Sequence, residues 1–423
     1  MELSDHLFRR EAGRMVATLT WIFGVHNLAL AEDVVQDAFC RALEVWKFRG
    51  VPENPSAWLM ATAKNRALDV LRRERTARTF APELGRLLES EWTLAPSVEE
   101  LFEAHAIKDD QLRMMFSCCH PRLPEEAQVA LMLHILCGFS VGEISSAFVS
   151  SHSAIEKRIT RGKKALAGSK RLFDTVDAAD FAGRLPSVHR ALYLLFNEGY
   201  HGASPESAVR VELCQEAMRL AALLLQHPLA ATPSTHALAA LMCLHAARLP
   251  ARVDAAGNLS ALFHQDRSRW DQDLMTEGQR LLDLAATGDE LTEYHLEAAI
   301  AAFHSMAPRA EDTNWAQIVS LYDQLTTIRP SPVVALNRAI AVAQLEGPER
   351  GLEEIHAIAD RDRLASYPFY SAALGELELR CGRHEIAREH FRAAVALARN
   401  PMERRFLDQR VAACDSGAAS GAV

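Results

Sequence analysis

The sequence predicts an all-α protein, and three observations carry that prediction. Apolar residues recur at three-and-four spacing through most segments between residues 5 and 412. Strand-like alternation of apolar and polar residues is absent. Gly and Pro fall between the periodic segments, at Gly50, Pro52, Pro55, Pro82, Gly85, Pro96, Gly199, Pro228, Pro250 and Gly288. With 423 residues, 49% hydrophobic and 24% charged, the chain reads as soluble and globular, with material for two to four cores.

The elements follow in order. Residues 5–22 place Leu7, Phe8, Met15, Leu19 and Ile22 on one apolar stripe. Residues 28–48, LALAEDVVQDAFCRALEVWKF, set Val34, Val35, Ala38, Phe39, Ala42, Leu43 and Trp46 on one side. Glu32, Asp33, Gln36 and Asp37 form an acidic face, which a solvated helix explains as well as a docking helix does. A loop at Gly50, Pro52, Asn54 and Pro55 leads to Ser56, which can cap the helix AWLMATAKNRALDVLRRERTAR. Trp58, Leu59, Ala63, Leu68 and Leu71 supply its core side. Between Lys64 and Arg78 it carries six basic residues against Asp69 and Glu74. A basic helix end beside an aromatic-bearing turn suits a nucleic-acid strand, through phosphate contacts and stacking. Arginines near a helix C-terminus also favour its dipole without any partner.

Residues 79–107 are polar and read as a linker. Helices resume with DDQLRMMFSCCHPRLPEEAQVALMLHILCG. Cys118, Cys119 and His120, with His134 or Cys137, raise the question of a metal. Adjacent cysteines on a helix point apart and zinc-type paired spacing is missing, so buried thiols and no metal are expected. Gly138 to Leu166 then reads as two helices joined by a short turn. The first, Val141 to Phe148, puts Ile144, Ala147 and Phe148 on one side, and Ser150 or Ser151 can cap the second. From Ser151 to Arg171 there are seven basic residues and one acid, Glu156. This is the helix-turn-helix pattern, whose second helix enters the major groove. A helical hairpin with a solvated basic face is the alternative.

The net charge of −9 argues against nucleic acid only until its distribution is read. Residues 1–171 carry 23 basic and 22 acidic residues, a net of +1, and hold all seven lysines. Residues 172–423 carry 23 arginines and 33 acids, a net of −10. A near-neutral half with basic patches is joined to an acidic half. The N-terminus lacks the apolar run of a signal peptide. The uncharged stretch Leu220–Ala247 is broken by Pro228 and Pro233, which predicts two buried helices and no membrane span. Eight scattered cysteines suit a reducing cytoplasm.

Three segments in this order, AEDVVQDAF, NPSAWLMATAKNRALDVLRR and LPEEAQVALMLHILCGFSVGEISSAF with IEKRITRGKKAL, resemble regions 2 and 4 of the extracytoplasmic-function sigma factors of bacterial RNA polymerase. The resemblance covers about two-fifths of the chain, and the acidic half is similar to the tetratricopeptide-like extension of one subgroup. The resemblance implies a role for each segment. Asp33, Gln36 and Asp37 would dock on the clamp helices of the polymerase β′ subunit, with region 4 on the β flap. Trp58, Lys64, Asn65, Arg66, Arg72, Arg73 and Arg75 would hold the unpaired strand of the minus-ten element. His152, Ser153, Ala154, Lys157 and Arg158 would face bases of the minus-thirty-five element, with Arg161, Lys163 and Lys164 on its backbone. The chain departs from many members at Ala147 and Phe148, where a Leu-Gly pair is common, and at Glu156, where Lys or Arg is common.

From Arg184 onward the chain reads as continuous helices. Residues 299–412 show a period of about 34 residues, the tetratricopeptide length. Tyr322, Leu325 and Pro330 take late positions of one copy, and Leu374, Gly375, Gly382, Ala387, Phe391 and Ala394 match another. Gly347 and Gly382, 35 apart, sit at turns between paired helices. Stacked hairpins leave a groove for a regulatory protein or peptide; a bundle that only covers the sigma core is the alternative.

No nucleophile elbow, Gly-rich phosphate loop or HExxH is present, so no catalysis and no cofactor are expected. The expected organisation is sigma region 2 at 1–78, a linker at 79–107, region 4 at 108–171, a helical extension at 172–298, tetratricopeptide-like repeats at 299–412 and a tail at 413–423. The expected function is promoter-specific initiation by a cytoplasmic sigma factor, with core polymerase and promoter DNA as partners. An activator that binds duplex DNA without core polymerase, or a helical-repeat scaffold, shares parts of this pattern.

Overall fold

The computed structural model describes residues 5–77, 110–120, 122–148, 150–167, 178–202, 208–254 and 257–415. The expected linker at 79–107 and most of the tail lie outside them, as do the side chains of Leu7, Phe8, Ile22, Arg75 and Ala147. Among the described residues there are nineteen α-helices and no strand, with one isolated bridge between Val253 and Leu259. The chain divides into two compact units: Met1–Leu195 with Gln226–Ala230, and Phe196–Leu225 with Ala231–Val423. None of these helices is long and apolar enough to cross a membrane.

In the first unit α1 (Asp5–Phe23), α2 (Leu28–Arg49) and α3 (Pro55–Ala77) pack together. Their core is Met15, Leu19, Leu28, Val34, Val35, Ala38, Trp46, Leu59 and Ala63, most of it on the stripes that the periodicity predicted; Leu43, expected on the α2 stripe, is 56% exposed. The start of α3 differs from expectation. Asn54 Oδ1 accepts from the Ala57 amide at 3.0 Å, so Asn54 caps the helix in place of Ser56. Pro55 explains the shift, because its missing N–H and preset φ suit a first helical position.

The next helices are α4 (Asp110–Cys118), α5 (Glu125–Ile135), α6 (Val141–Ala147) and α7 (His152–Ala167). Ser140 and Glu143 form a reciprocal cap on α6: the Ser140 amide donates to Glu143 Oε2 at 2.7 Å and the Glu143 amide to Ser140 Oγ at 3.2 Å. Ser151 Oγ accepts from the Ala154 amide at 3.3 Å, which makes Ser151 the cap of α7. No disulfide joins these cysteines among the described residues, and burial pushes the Cys118 thiol up to about 12. His134 Nδ1 lies 2.9 Å from the Phe139 carbonyl, and no group of three potential metal ligands occurs among the described residues. The unit also takes in the first part of α8 (Ala178–Tyr200). Phe181 stacks on Phe116 at 4.2 Å, His227 on Phe181 at 4.8 Å, and Arg184 Nη1 donates to the Phe116 carbonyl at 3.0 Å.

The second unit holds the end of α8, then α9 (Val211–Gln226), α10 (Pro233–Ala246), α11 (Leu249–Arg252), α12 (Gln272–Ala285) and α13 (Glu293–Met306). Its remaining helices are α14 (Trp315–Ile328), α15 (Pro332–Glu346), α16 (Pro348–His356), α17 (Pro368–Arg380), α18 (His384–Ala396) and α19 (Pro401–Asp415). From α13 onward each helix packs on the next. Gly347 and Gly382 take φ of 102° and 74° at the turns between pairs, as their spacing predicts. Leu325, Leu374, Ala387, Phe391 and Ala394 are buried between helices.

Two expectations about this unit change. Residues 266–286, within the run that reads as continuous helices, form a 3₁₀ turn (Arg267–Arg269) followed by α12, which Asp271 caps by accepting from the Leu274 amide at 3.0 Å. That break turns Trp270 inward. Gly199 is no helix break; it lies inside α8, where a Cβ would meet the Arg210 carbonyl and the Cys214 amide at 2.8 Å.

Candidate nucleic-acid interface

The first site lies between α2 and α3. Trp46 and Trp58 meet edge to face at 5.3 Å, one ring from each helix, and fix the spacing between them. Beyond Trp58 opens a cleft of about 440 Å³, lined by Asp37, Ala38, Arg41, Trp58, Thr62, Asn65, Arg66 and Asp69. Thr62 Oγ1 donates to the Trp58 carbonyl at 2.8 Å, and Asn65, one turn further on, also lines the cleft. Arg66 Nε donates to Asp37 Oδ2 at 3.1 Å across the cleft. The geometry supplies an aromatic wall, an amide edge and flanking guanidinium groups in one hollow. Those are the parts that hold an unstacked base and its phosphate.

Of the residues expected at the minus-ten element, Trp58, Asn65 and Arg66 share this cleft. Lys64 lies half-buried on α3 outside the cleft lining, and Arg72 and Arg73 are exposed further along that helix. Asp33, Gln36 and Asp37 are exposed on α2, opposite the buried Val34, Val35 and Ala38. Asp37 was expected on a protein-docking face; here it also belongs to the cleft.

The second site is α7. Ile155, Ile159, Gly162 and Leu166 are buried, with Gly162 lying against Leu131, where a Cβ would sit 3.4 Å from its nearest methyl. The opposite face exposes His152, Ser153, Lys157, Arg161 and Lys164 at helical spacing, and Ala154 is half-buried. Two expected DNA contacts are otherwise engaged. Arg158 pairs with Glu126 at 2.7 Å. Lys163 Nζ donates to both carboxylate oxygens of Glu32 on α2, at 2.8 and 2.9 Å. Sequence spacing cannot reveal these pairs, because Lys163 and Glu32 are 131 residues apart.

A capped helix-turn-helix with a basic outer stripe is the arrangement of a DNA-binding transcription protein. The sigma-70 region 2 family matches residues 7–77, and the sigma-70 region 4 family matches residues 113–166. A family of unknown function (DUF6596) matches residues 184–286. An uncharacterized protein of Rhizobium meliloti (strain 1021) is 41% identical over 383 residues, covering 90% of this chain and 89% of that protein. No solved structure matches the chain significantly. The chain belongs to the sigma-70 family, as an extracytoplasmic-function-like sigma factor with a C-terminal extension. These domains mark a transcription-initiation regulator rather than an enzyme, with RNA polymerase core and promoter DNA as partners.

Proposed function

We propose that the chain docks on core polymerase through the α2 face bearing Asp33, Gln36 and Asp37. It captures the minus-ten strand in the cleft at Trp58, Asn65 and Arg66, and reads the minus-thirty-five element with the outer face of α7. Arg72, Arg73 and Arg75 extend the strand path along α3, and Lys64 flanks it. The observation that carries this reading is the cleft between α2 and α3. It joins an aromatic wall to polar edges a few residues from an exposed acidic face. The C-terminal helices, with their hairpin series at 299–412, regulate that activity in cis or through a bound protein segment.

Co-purification of the full chain with core polymerase tests the reading. Asp33→Lys puts a like charge against a basic coiled coil and lowers core affinity by about tenfold or more, ~1.4 kcal/mol. Asp37→Lys adds a second effect, because it also releases Arg66. If the unaltered chain does not bind core polymerase, the sigma reading fails and a free-standing activator or a scaffold takes its place. Run-off transcription followed by promoter mapping then identifies the elements that are read.

A further inference from the structure

Inside the second unit, six polar side chains from separate elements meet with no acid among them. Tyr200 ends α8, His245 lies in the last turn of α10 and Arg248 in the turn that follows. Arg252 closes α11, Trp270 precedes α12, and His304 lies in α13. The Arg252 guanidinium carbon is 4.4 Å from the centre of the Tyr200 ring. That of Arg248 is 6.0 Å from the same ring and 5.6 Å from the Trp270 ring. The His245 and Tyr200 rings are 5.1 Å apart. Arg248 is 6% exposed, Arg252 7% and Trp270 3%.

Other buried or half-buried arginines of this unit have partners that account for them. Arg210 pairs with Glu198 at 2.6 Å. Arg267 donates to the His304 and Ala307 carbonyls at the end of α13, at 2.6 and 2.5 Å. Arg252 donates to the Tyr200 carbonyl at 3.1 Å and lies 3.3 Å from His201 Nδ1. Among the described residues, the hydrogen-bond partner of Arg248 is Gln265 Oε1, at 3.5 Å. Neither Arg248 nor Arg252 pairs with a carboxylate among the described residues. A buried charge without a counter-charge is costly, which makes two of them in one cluster unusual.

Hydrogen bonding points the same way. Tyr200 Oη, Trp270 Nε1, Arg252 Nε, His245 Nδ1 and His304 Nδ1 are all buried without a partner. An indole N–H and a guanidinium N–H can only donate, so Trp270 Nε1 and Arg252 Nε each lack an acceptor. Cation–π stacking covers the guanidinium faces and leaves these N–H edges unanswered. Burial holds the His304 imidazole down to about 3 and His245 well below its usual range, so both stay neutral.

We propose that this cluster is an enclosed site for a phosphate group, with Arg248 and Arg252 as its charge partners and Tyr200 and Trp270 as neutral donors. A phosphate monoester carries close to two negative charges at neutral pH, which matches two uncompensated guanidinium groups. Its tetrahedral oxygens accept from donors that arrive from four separate elements, where a carboxylate offers one charge and two coplanar oxygens. Tyr200, His245, Arg248, Arg252 and Trp270 all lie within residues 184–286, the span matched by the family of unknown function. The site would give the C-terminal extension a small-molecule input, independent of the DNA-reading helices.

Calorimetry and thermal melting of the full chain test this, at constant ionic strength, with inorganic phosphate, glycerol phosphate, citrate and chloride. Saturable binding of inorganic phosphate assigns the site to the free ion; binding of the ester alone assigns it to a carried phosphate group. Arg248→Gln weakens that binding tenfold or more. Trp270→Phe, which keeps the ring and removes one donor, weakens it severalfold. Phosphorus released when the purified chain is denatured supports occupancy from the cell. The proposal is overturned if neither phosphate probe exceeds the chloride control and no phosphorus is released. Citrate binding without phosphate binding overturns it too, as does a folded Arg248→Gln chain that binds like wild type. Wild-type binding and the Trp270→Phe comparison decide the matter even where Arg248→Gln fails to fold.

Discussion

At Asp37 one carboxylate serves two surfaces: it lies on the exposed acidic face of α2 and accepts from Arg66 in the cleft between α2 and α3. On α7, by contrast, Arg161 stays on the exposed stripe. Replacing it, as Arg161→Ala, should weaken promoter binding similarly across sequences and lower the slope of log affinity against log salt by about 0.9, one phosphate contact. A titration series at several salt concentrations reads both numbers. His189 in α8 gives a pH prediction. Burial holds its imidazole at about 4, against the ordinary 6.5. Between those values the unfolded chain takes a proton that the folded chain refuses. Stability is therefore full above pH 6.5 and falls as pH drops toward 4, by roughly 3 kcal/mol in all at ~1.36 kcal/mol per unit. Urea unfolding from pH 7 to pH 4 should show that limb, and His189→Gln should flatten part of it.

Among elements, the hairpins of the second unit depend on close approach. A Cβ at Gly375 would lie 3.0 Å from the Phe391 ring, across α17 and α18, and one at Gly351 would lie 2.3 Å from the Ala343 Cβ. Phe391 is buried and cannot withdraw, so Gly375→Ala should cost about 1–3 kcal/mol, measured as a lower urea midpoint. Gly375 was singled out in the sequence, and small residues mark where two helices touch. The role of Gly351 was not legible, since only the packed pair shows which neighbour it meets. Between α2 and α7 the Glu32–Lys163 pair is partly exposed, so Glu32→Gln should lower stability by no more than about 1 kcal/mol. It should also free Lys163 for phosphate and steepen the salt slope of DNA binding by about one unit. A slope that stays unchanged would show that Lys163 does not reach the backbone.

At the scale of the whole chain, the charge shift near residue 172 and the packing boundary near residue 195 do not coincide. Phe181 and His227 complete a stack on Phe116, so the first unit borrows residues from beyond the charge boundary. A chain ended at residue 171 loses that stack and should melt several degrees lower than one ended at residue 230, by differential scanning calorimetry. The longer truncation is the better probe of regulation. A gain in run-off transcription indicates inhibition in cis, a loss indicates a required contact, and no change removes the regulatory role.

The sequence by itself determined the helices, their order and the family of the first half. All three depend on local spacing: apolar periodicity, capping residues and motifs a few residues long. Even there, Asn54 displaced Ser56 as a cap because Pro55 reset the helix start. Only the tertiary structure decided which charges are paired. It joined Lys163 to Glu32 and Arg66 to Asp37, turned Trp270 into the core, and left Arg248 and Arg252 buried without an acid among the described residues. Pairing depends on distance in space between residues far apart in the chain, and periodicity carries no record of that distance.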